Sequence, residues 1–282
     1  MPSIPTRRNV VQTLAAAGLG LAMPIPIRAA HLPNEPMILG VFPYLPALQI
    51  GRRFGPVASA FSEICGRQVS LRTKSTFPAF QQLLLQAHYD VALVHPFFCA
   101  DAMAAHDYRP IGRLREDLAA LIVAPIERRL ERFDDLRGET VATPPRLSAV
   151  FQLVEQELTG QDLAGPDGVK LEVFRNKTAC MHAVASGNAA ACALPGFALA
   201  QLKSFEPIAM EPKFGTASIP GIVLIGHSRL GEPTLGRLQE TVLGWESTEA
   251  GRLVLENLGW SGFIPVRTGE YDVARLRRKA DT

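Results

Sequence analysis

The chain has 282 residues, 47% of them hydrophobic and 7% aromatic. That suffices for one large or two medium domains with a sizeable core and excludes a disordered chain. The formal net charge is +2, but Arg7, Arg8 and Arg28 lie in the first 30 positions, which hold no acid. The remainder is close to neutral, so no overall basic field invites nucleic acid.

Those first 30 residues read as an export signal. Arg7 and Arg8 precede the apolar run 13–23, and Pro24, Pro26 and the small pair Ala29-Ala30 follow. The arginine pair resembles the twin-arginine class of signal. The apolar stretch is about 11–15 residues, short of the ~20 that span a bilayer. Cleavage near Ala29 or Ala30 and a periplasmic location are the expectation, with an uncleaved anchor as the alternative.

Beyond the signal, short apolar runs alternate with helical periodicity. Residues 38–42, 69–71 and 89–94 read as strands, and 53–64 and 77–87 as the helices between them. This β-α-β-α-β order predicts a parallel sheet covered on both faces. The pattern resumes with strands at 139–142, 171–173 and 190–194, and helices at 149–158 and 178–185. A strand at 222–225 and helices at 233–245 and 248–258 close the chain. The class is therefore α/β, with two modules in series and a return to the first. The chain crosses between modules near Ala124-Pro125 and at 221–226. These crossings set an export signal at 1–30, a first domain at 31–123 plus 226–282, and a second at 124–225. A cleft facing the C-terminal strand ends is where such proteins bind small ligands.

Enzymatic signatures are missing. There is no GxSxG elbow, no Walker A loop, no HExxH and no histidine pair at i, i+4. Cys65, Cys99, Cys180 and Cys192 form no CxxC, so no cofactor or metal is expected. Buried free thiols are the ordinary reading, although an exported protein permits disulfides.

The informative positions are strand ends. Phe42-Pro43-Tyr44-Leu45-Pro46 fixes an aromatic hydroxyl between two prolines, which suits a preorganised wall. His95-Pro96-Phe97-Phe98-Cys99 ends the third strand on the same side. Thr143-Pro144-Pro145-Arg146-Leu147-Ser148 leads from a strand into a helix, and Asn176-Lys177-Thr178 does the same. Hydroxyls beside unpaired helix-start N–H groups make an anion cradle, and Lys177 adds charge. Ordinary N-capping by Ser148 is the simpler alternative.

These segments resemble the substrate-binding proteins of ABC importers for phosphonate, phosphite and phosphate. The likeness rests on Gly40–Pro46 (GVFPYLP), Tyr89–Pro96 (YDVALVHP), Tyr108-Arg109-Pro110, Leu136–Ala142 (LRGETVA), Ile219-Pro220-Gly221 and Leu258–Phe263 (LGWSGF). It implies a hinged, two-domain type 2 periplasmic-binding fold, each domain a mostly parallel sheet flanked by helices. It also implies a small oxyanion ligand, an ABC permease as partner and no catalysis. Cys99 takes the place of a tyrosine that lines the family's pocket, and Lys177 that of a histidine. Ala190 and Pro195 stand where acids are common.

The expected ligand-binding set is Tyr44, His95, Phe97, Cys99, Thr143, Arg146, Ser148, Lys177 and Thr178, in a monomer. A thiol in the pocket opens a second reading. It is a partner of a membrane sensor kinase that binds a thiophilic oxyanion such as arsenite through Cys99. A third is an enzyme of the thiamine-pyrimidine kind with Cys99 as nucleophile.

Overall fold

The structure is a computed structural model that describes residues 35–198 and 208–277. The signal expected at 1–30 lies outside the described residues. Among the described residues, no helix is long and apolar enough to cross a membrane.

Two sheets organise the chain. The first contains β1 (Met37–Val41), β2 (Val69–Arg72), β3 (Val91–Val94), β4 (Tyr108–Leu114), β10 (Val223–His227) and β11 (Phe263–Ile264), in the order β11-β4-β10-β3-β1-β2. The second contains β5 (Ala120–Pro125), β6 (Thr140–Thr143), β7 (Lys170–Val173), β8 (Ala191–Pro195) and β9 (Met210–Gly215), in the order β7-β6-β8-β5-β9. In each sheet a parallel trio forms the heart: β2-β1-β3 and β7-β6-β8. In each, one strand enters antiparallel beside the trio, β10 against β3 and β5 against β8. The sheets are therefore mixed in pairing, while most strands run one way.

The parallel strands form where apolar residues run without interruption, because both faces are covered. All four residues of β3 are buried, and so are four of the five in β1. The intervening helices are α1 (Ala47–Cys65), α2 (Phe77–Leu85) and α3 (Pro96–Ala105) in the first half, then α4 (Ala149–Gly160) and α5 (Lys177–Ala185). α6 (Glu232–Gly244), α7 (Glu249–Leu258) and α8 (Val273–Arg277) complete the described chain. α1 begins six residues before the sequence places it. Its buried stripe is Ile50, Phe54, Val57, Ala58 and Phe61. That spacing continues the helical period back past Arg53, and Pro46 marks the start. Gly66 ends it in the left-handed region at φ 63°.

A buried ion pair pins the start of β3. Asp90 is fully buried and accepts the Ile38 N–H at 2.7 Å and Arg229 Nε–H at 2.8 Å. Arg229 also donates to the Ala87 and Tyr89 carbonyls. One residue thus ties β1, β3 and the segment after β10 together.

The chain passes between sheets at 115–119 and again at 216–222. These changeovers fall some residues before the crossings expected near Ala124-Pro125 and at 221–226. The reason is pairing: residues 120–123 sit in β5 against β8, while Val223–Ile225 sit in β10 against β3. The two passages hydrogen-bond to one another. Leu118 N–H donates to Ile219 O at 2.8 Å and Ile219 N–H to Leu118 O at 2.9 Å. The C-terminal segment straps across them, with Tyr271 Oη–H donating to Gly221 O at 2.7 Å. Tyr271 belongs to the core of the first sheet and Leu276 to that of the second.

Candidate ligand-binding site

A cavity of about 80 Å³ opens at the strand ends of both sheets. A single buried water needs ~10–15 Å³ on that measure, so the space suits a small molecule. Its floor is the paired crossing, through Leu118 and Ile222. Its walls come from the residues that follow β1, β3, β6, β7 and β8, the C-terminal ends where open α/β sheets place ligands.

Four helix N-termini meet there. Phe77 begins α2, and His95 caps α3. Ser148 caps α4, and Asn176 caps α5. All of these line the cavity, as do Ala149, Val150 and Lys177 in the first turns of α4 and α5. The first N–H groups of a helix have no intrahelical acceptor and carry the positive end of its dipole. Convergent starts therefore build a positive, donor-rich pocket.

His95 gives up one nitrogen to hold its own helix: Nδ1 accepts the Phe98 N–H at 3.4 Å. Burial pulls its pKa down to about 3, outweighing the nearby Leu147 carbonyl, which favours the charged ring. A neutral ring that accepts at Nδ1 carries its hydrogen on Nε2. Nε2 is buried beside the Leu147 carbonyl without a well-formed hydrogen bond to it, and His95 lines the cavity. Tyr44 presents a second such group. Its Oη is buried without a partner, and its ring stacks on Phe42 with centroids 4.8 Å apart. Burial holds the phenol well above its ordinary range, against the pull of Arg53, so it stays protonated. Buried polar atoms without partners are costly, and the Tyr44 hydroxyl is the clearest such group among the residues of this cavity.

Lys177 supplies charge. It is half-buried, with Nζ 5.4 Å from the centroid of the Phe197 ring. Burial, and then the charge on Arg53, bring its pKa down to about 8. A lysine in the first turn also opposes the helix dipole, a local conflict of the kind found at functional sites. Arg175 is the other cation of the lining, and no described lining residue is a carboxylate.

The structure brings together Tyr44, His95, Ser148 and Lys177 of the expected set, and places the other five elsewhere. Cys99 lies one helical turn beyond His95, fully buried in the core of the first sheet, with Sγ 3.5 Å from Met103 Sδ. Burial raises its thiol pKa far above the ordinary range, which leaves a poor nucleophile. The thiol readings, arsenite capture and covalent catalysis, find no support in this position. Phe97 is buried among the apolar side chains that surround the crossing. Thr143 is fully buried and spends its hydroxyl on Glu172 O at 3.1 Å. Arg146 projects outward over the Phe151 ring, and Thr178 is exposed on the far side of the α5 start. Ser148 does cap its helix, accepting the Phe151 N–H at 3.2 Å, yet it also lines the cavity. The four cysteines are unpaired.

Sequence reasoning passed over Phe77, Leu118, Phe197 and Ile222, which line the cavity. Aromatic and aliphatic residues at these positions carry no signal that separates a pocket wall from a core. Among the described residues, no group of three or more His, Cys, Asp or Glu could hold a metal.

The fold is similar to PhnD1 from Prochlorococcus marinus in complex with methylphosphonate, with TM-score 0.75 and 14% identity over 86% of this chain and 97% of that one. It is similar to a Xanthomonas citri protein bound to ATP, with TM-score 0.72 and 13% identity over 86% and 96%. It also resembles the periplasmic aliphatic sulphonate binding protein SsuA from Escherichia coli, with TM-score 0.60 and 15% identity over 88% and 91%. These likenesses establish the type 2 periplasmic-binding fold. No protein of curated function matches the chain by sequence. The sequence pattern of one family, the periplasmic substrate-binding proteins of phosphonate ABC transporters, matches residues 39–271. The chain belongs to that family.

Proposed function

We propose that this chain is an exported solute-binding protein that captures a small oxyanion of the phosphonate, phosphite or phosphate kind and presents it to an ABC permease. The two sheets act as lobes that hinge at 115–119 and 216–222 and close over the ligand. The observation that carries the reading is the cavity itself. Four helix starts, two cations, the neutral His95 ring and the unpartnered Tyr44 hydroxyl surround a space without a described carboxylate. Such a site rewards negative charge and multiple acceptor oxygens. The related folds named above bind a phosphonate, a nucleoside triphosphate and a sulphonate, each with a tetrahedral oxyanion group. Members of the family serve transport and not catalysis.

Thermal unfolding against an oxyanion panel tests this. Methylphosphonate, phosphite, phosphate or a sulfonate, present at ~100 times its dissociation constant, adds ~2.7 kcal/mol. For a chain of this size that is a rise of at least about 5 °C. Glucose and neutral amides leave the transition unmoved. An unchanged transition with every oxyanion refutes the proposal.

A further inference from the structure

The walls of the cavity differ in how firmly they are held, and that difference bears on which oxyanions fit; the inference rests on the oxyanion reading. Most of the apolar lining is fixed. Phe42, Phe77 and Ile222 belong to the core of the first sheet, and Leu118 and Val150 to that of the second. None of them can withdraw without disturbing a packed interior. Pro43, Pro144, Pro145 and Pro195 add rings locked to their own backbone.

Phe197 is the exception. It is the one large apolar side chain of the described lining that is exposed, at 45%. It stands outside the packed cores of both sheets, on the short turn Gly196–Ala198 that follows β8. Its ring makes two contacts with other lining residues. One is edge-on to Tyr44, with centroids 5.9 Å apart and an interplanar angle of 84°. Tyr44 extends from the first sheet and Phe197 from the second, so this aromatic pair joins the lobes across the cleft. The other contact is with Lys177 Nζ, 5.4 Å from the ring centroid.

An oxyanion that takes a hydrogen bond from Lys177 is therefore held beside the Phe197 ring. The group it carries in place of a fourth oxygen has that ring on one side and the fixed wall on the others. The free space is about 80 Å³. A substituent that outgrows it enters only by pushing Phe197 aside, which gives up both the pairing between lobes and the contact with the ammonium. We infer that Phe197 sets the upper size of the ligand's organic substituent: its ring fills the room that a bulky group on phosphorus would need, and restricts the site to inorganic and short-chain oxyanions.

Methylphosphonate and phenylphosphonate make the decisive pair, and Phe197→Ala the decisive variant. The ligands share a head group and differ in bulk. The truncation removes from the wall one six-membered ring, the shape that phenylphosphonate adds. Isothermal titration of the purified wild type is expected to show methylphosphonate binding at least about tenfold more tightly than phenylphosphonate. In Phe197→Ala the ratio of the two dissociation constants falls by at least about tenfold, because methylphosphonate weakens while phenylphosphonate tightens in absolute terms. Phe197→Trp moves the ratio the other way. The exposed position leaves the thermal transition of the empty variants at its wild-type value. An unchanged ratio in Phe197→Ala, or both ligands weakened or lost together, overturns the inference and leaves the oxyanion reading standing. So does a wild type that binds phenylphosphonate as tightly as methylphosphonate, or one that binds phosphate but not methylphosphonate. Failure of the wild type to bind any phosphonate, phosphite, phosphate or sulfonate overturns both.

Discussion

Replacing Lys177 by glutamine separates binding from folding in one variant. In the described structure Nζ makes no ion pair; its contact is the Phe197 ring at 5.4 Å, worth ~0.5–1 kcal/mol. Against that stand two costs of the empty site: a half-buried charge, and a cation in the first turn of α5. The empty variant should therefore unfold within about 2 °C of the wild type, or above it. The ligand-bound state behaves differently, because a charge-assisted hydrogen bond contributes ~1.5–3 kcal/mol, or ~10–150-fold in dissociation constant. The pH dependence follows from the lowered pKa of about 8. A lysine whose folded pKa lies below its unfolded value holds fewer protons when folded, from about pH 8 up to its ordinary value. Empty-protein stability therefore rises with pH across that window, and the penalty is complete below it. Anion affinity runs the opposite way, full below about pH 8 and falling above it. Titration calorimetry with ethanesulfonate, whose charge does not change, reads the affinity between about pH 7 and 9.5, and urea unfolding of the empty protein reads the stability. Lys177→Gln should weaken binding by at least tenfold and flatten the slope. Wild-type affinity in the variant, or the same slope above pH 8, refutes the role assigned to Lys177.

Three further changes probe the site and its support. Tyr44→Phe removes a hydroxyl that has no protein partner, so the thermal transition of the empty protein should hold while the dissociation constant rises about 5–10-fold; an unchanged constant shows that the hydroxyl does not touch the ligand. Cys99→Ala takes a sulfur from the core and should cost ~1–2 kcal/mol in urea unfolding without altering affinity. Lost binding at retained stability would return the thiol to the ligand. Asp90→Asn leaves Arg229 without its buried anion and should cost ~3–5 kcal/mol, and a loss below ~1 kcal/mol would show the pair to be incidental.

The parts of the fold that are legible in the sequence are those whose burial is uniform. β1, β3 and β8 are continuous apolar runs because helices cover both faces, and α1, α6 and α7 show their buried stripe at helical spacing. β5 carries the same apolar signal, but nothing local states that it runs antiparallel and opens the second sheet. Its terminal Pro125 reads instead as a break. β9 (MEPKFG) is a largely exposed edge strand with an internal proline, and exposed edges need neither alternation nor apolar runs.

The cavity lies at strand ends, but neighbours in sequence are not neighbours in space there. Thr143 is still within β6, so pleating turns its hydroxyl away from the cavity toward β7. Thr178 follows Lys177 by one helical residue, a rotation of about 100° that carries it to solvent. Cys99 follows His95 by four, which in a helix means directly above it along the axis and deeper in the core. Its sulfur therefore packs within the core of the first sheet and not against the cavity.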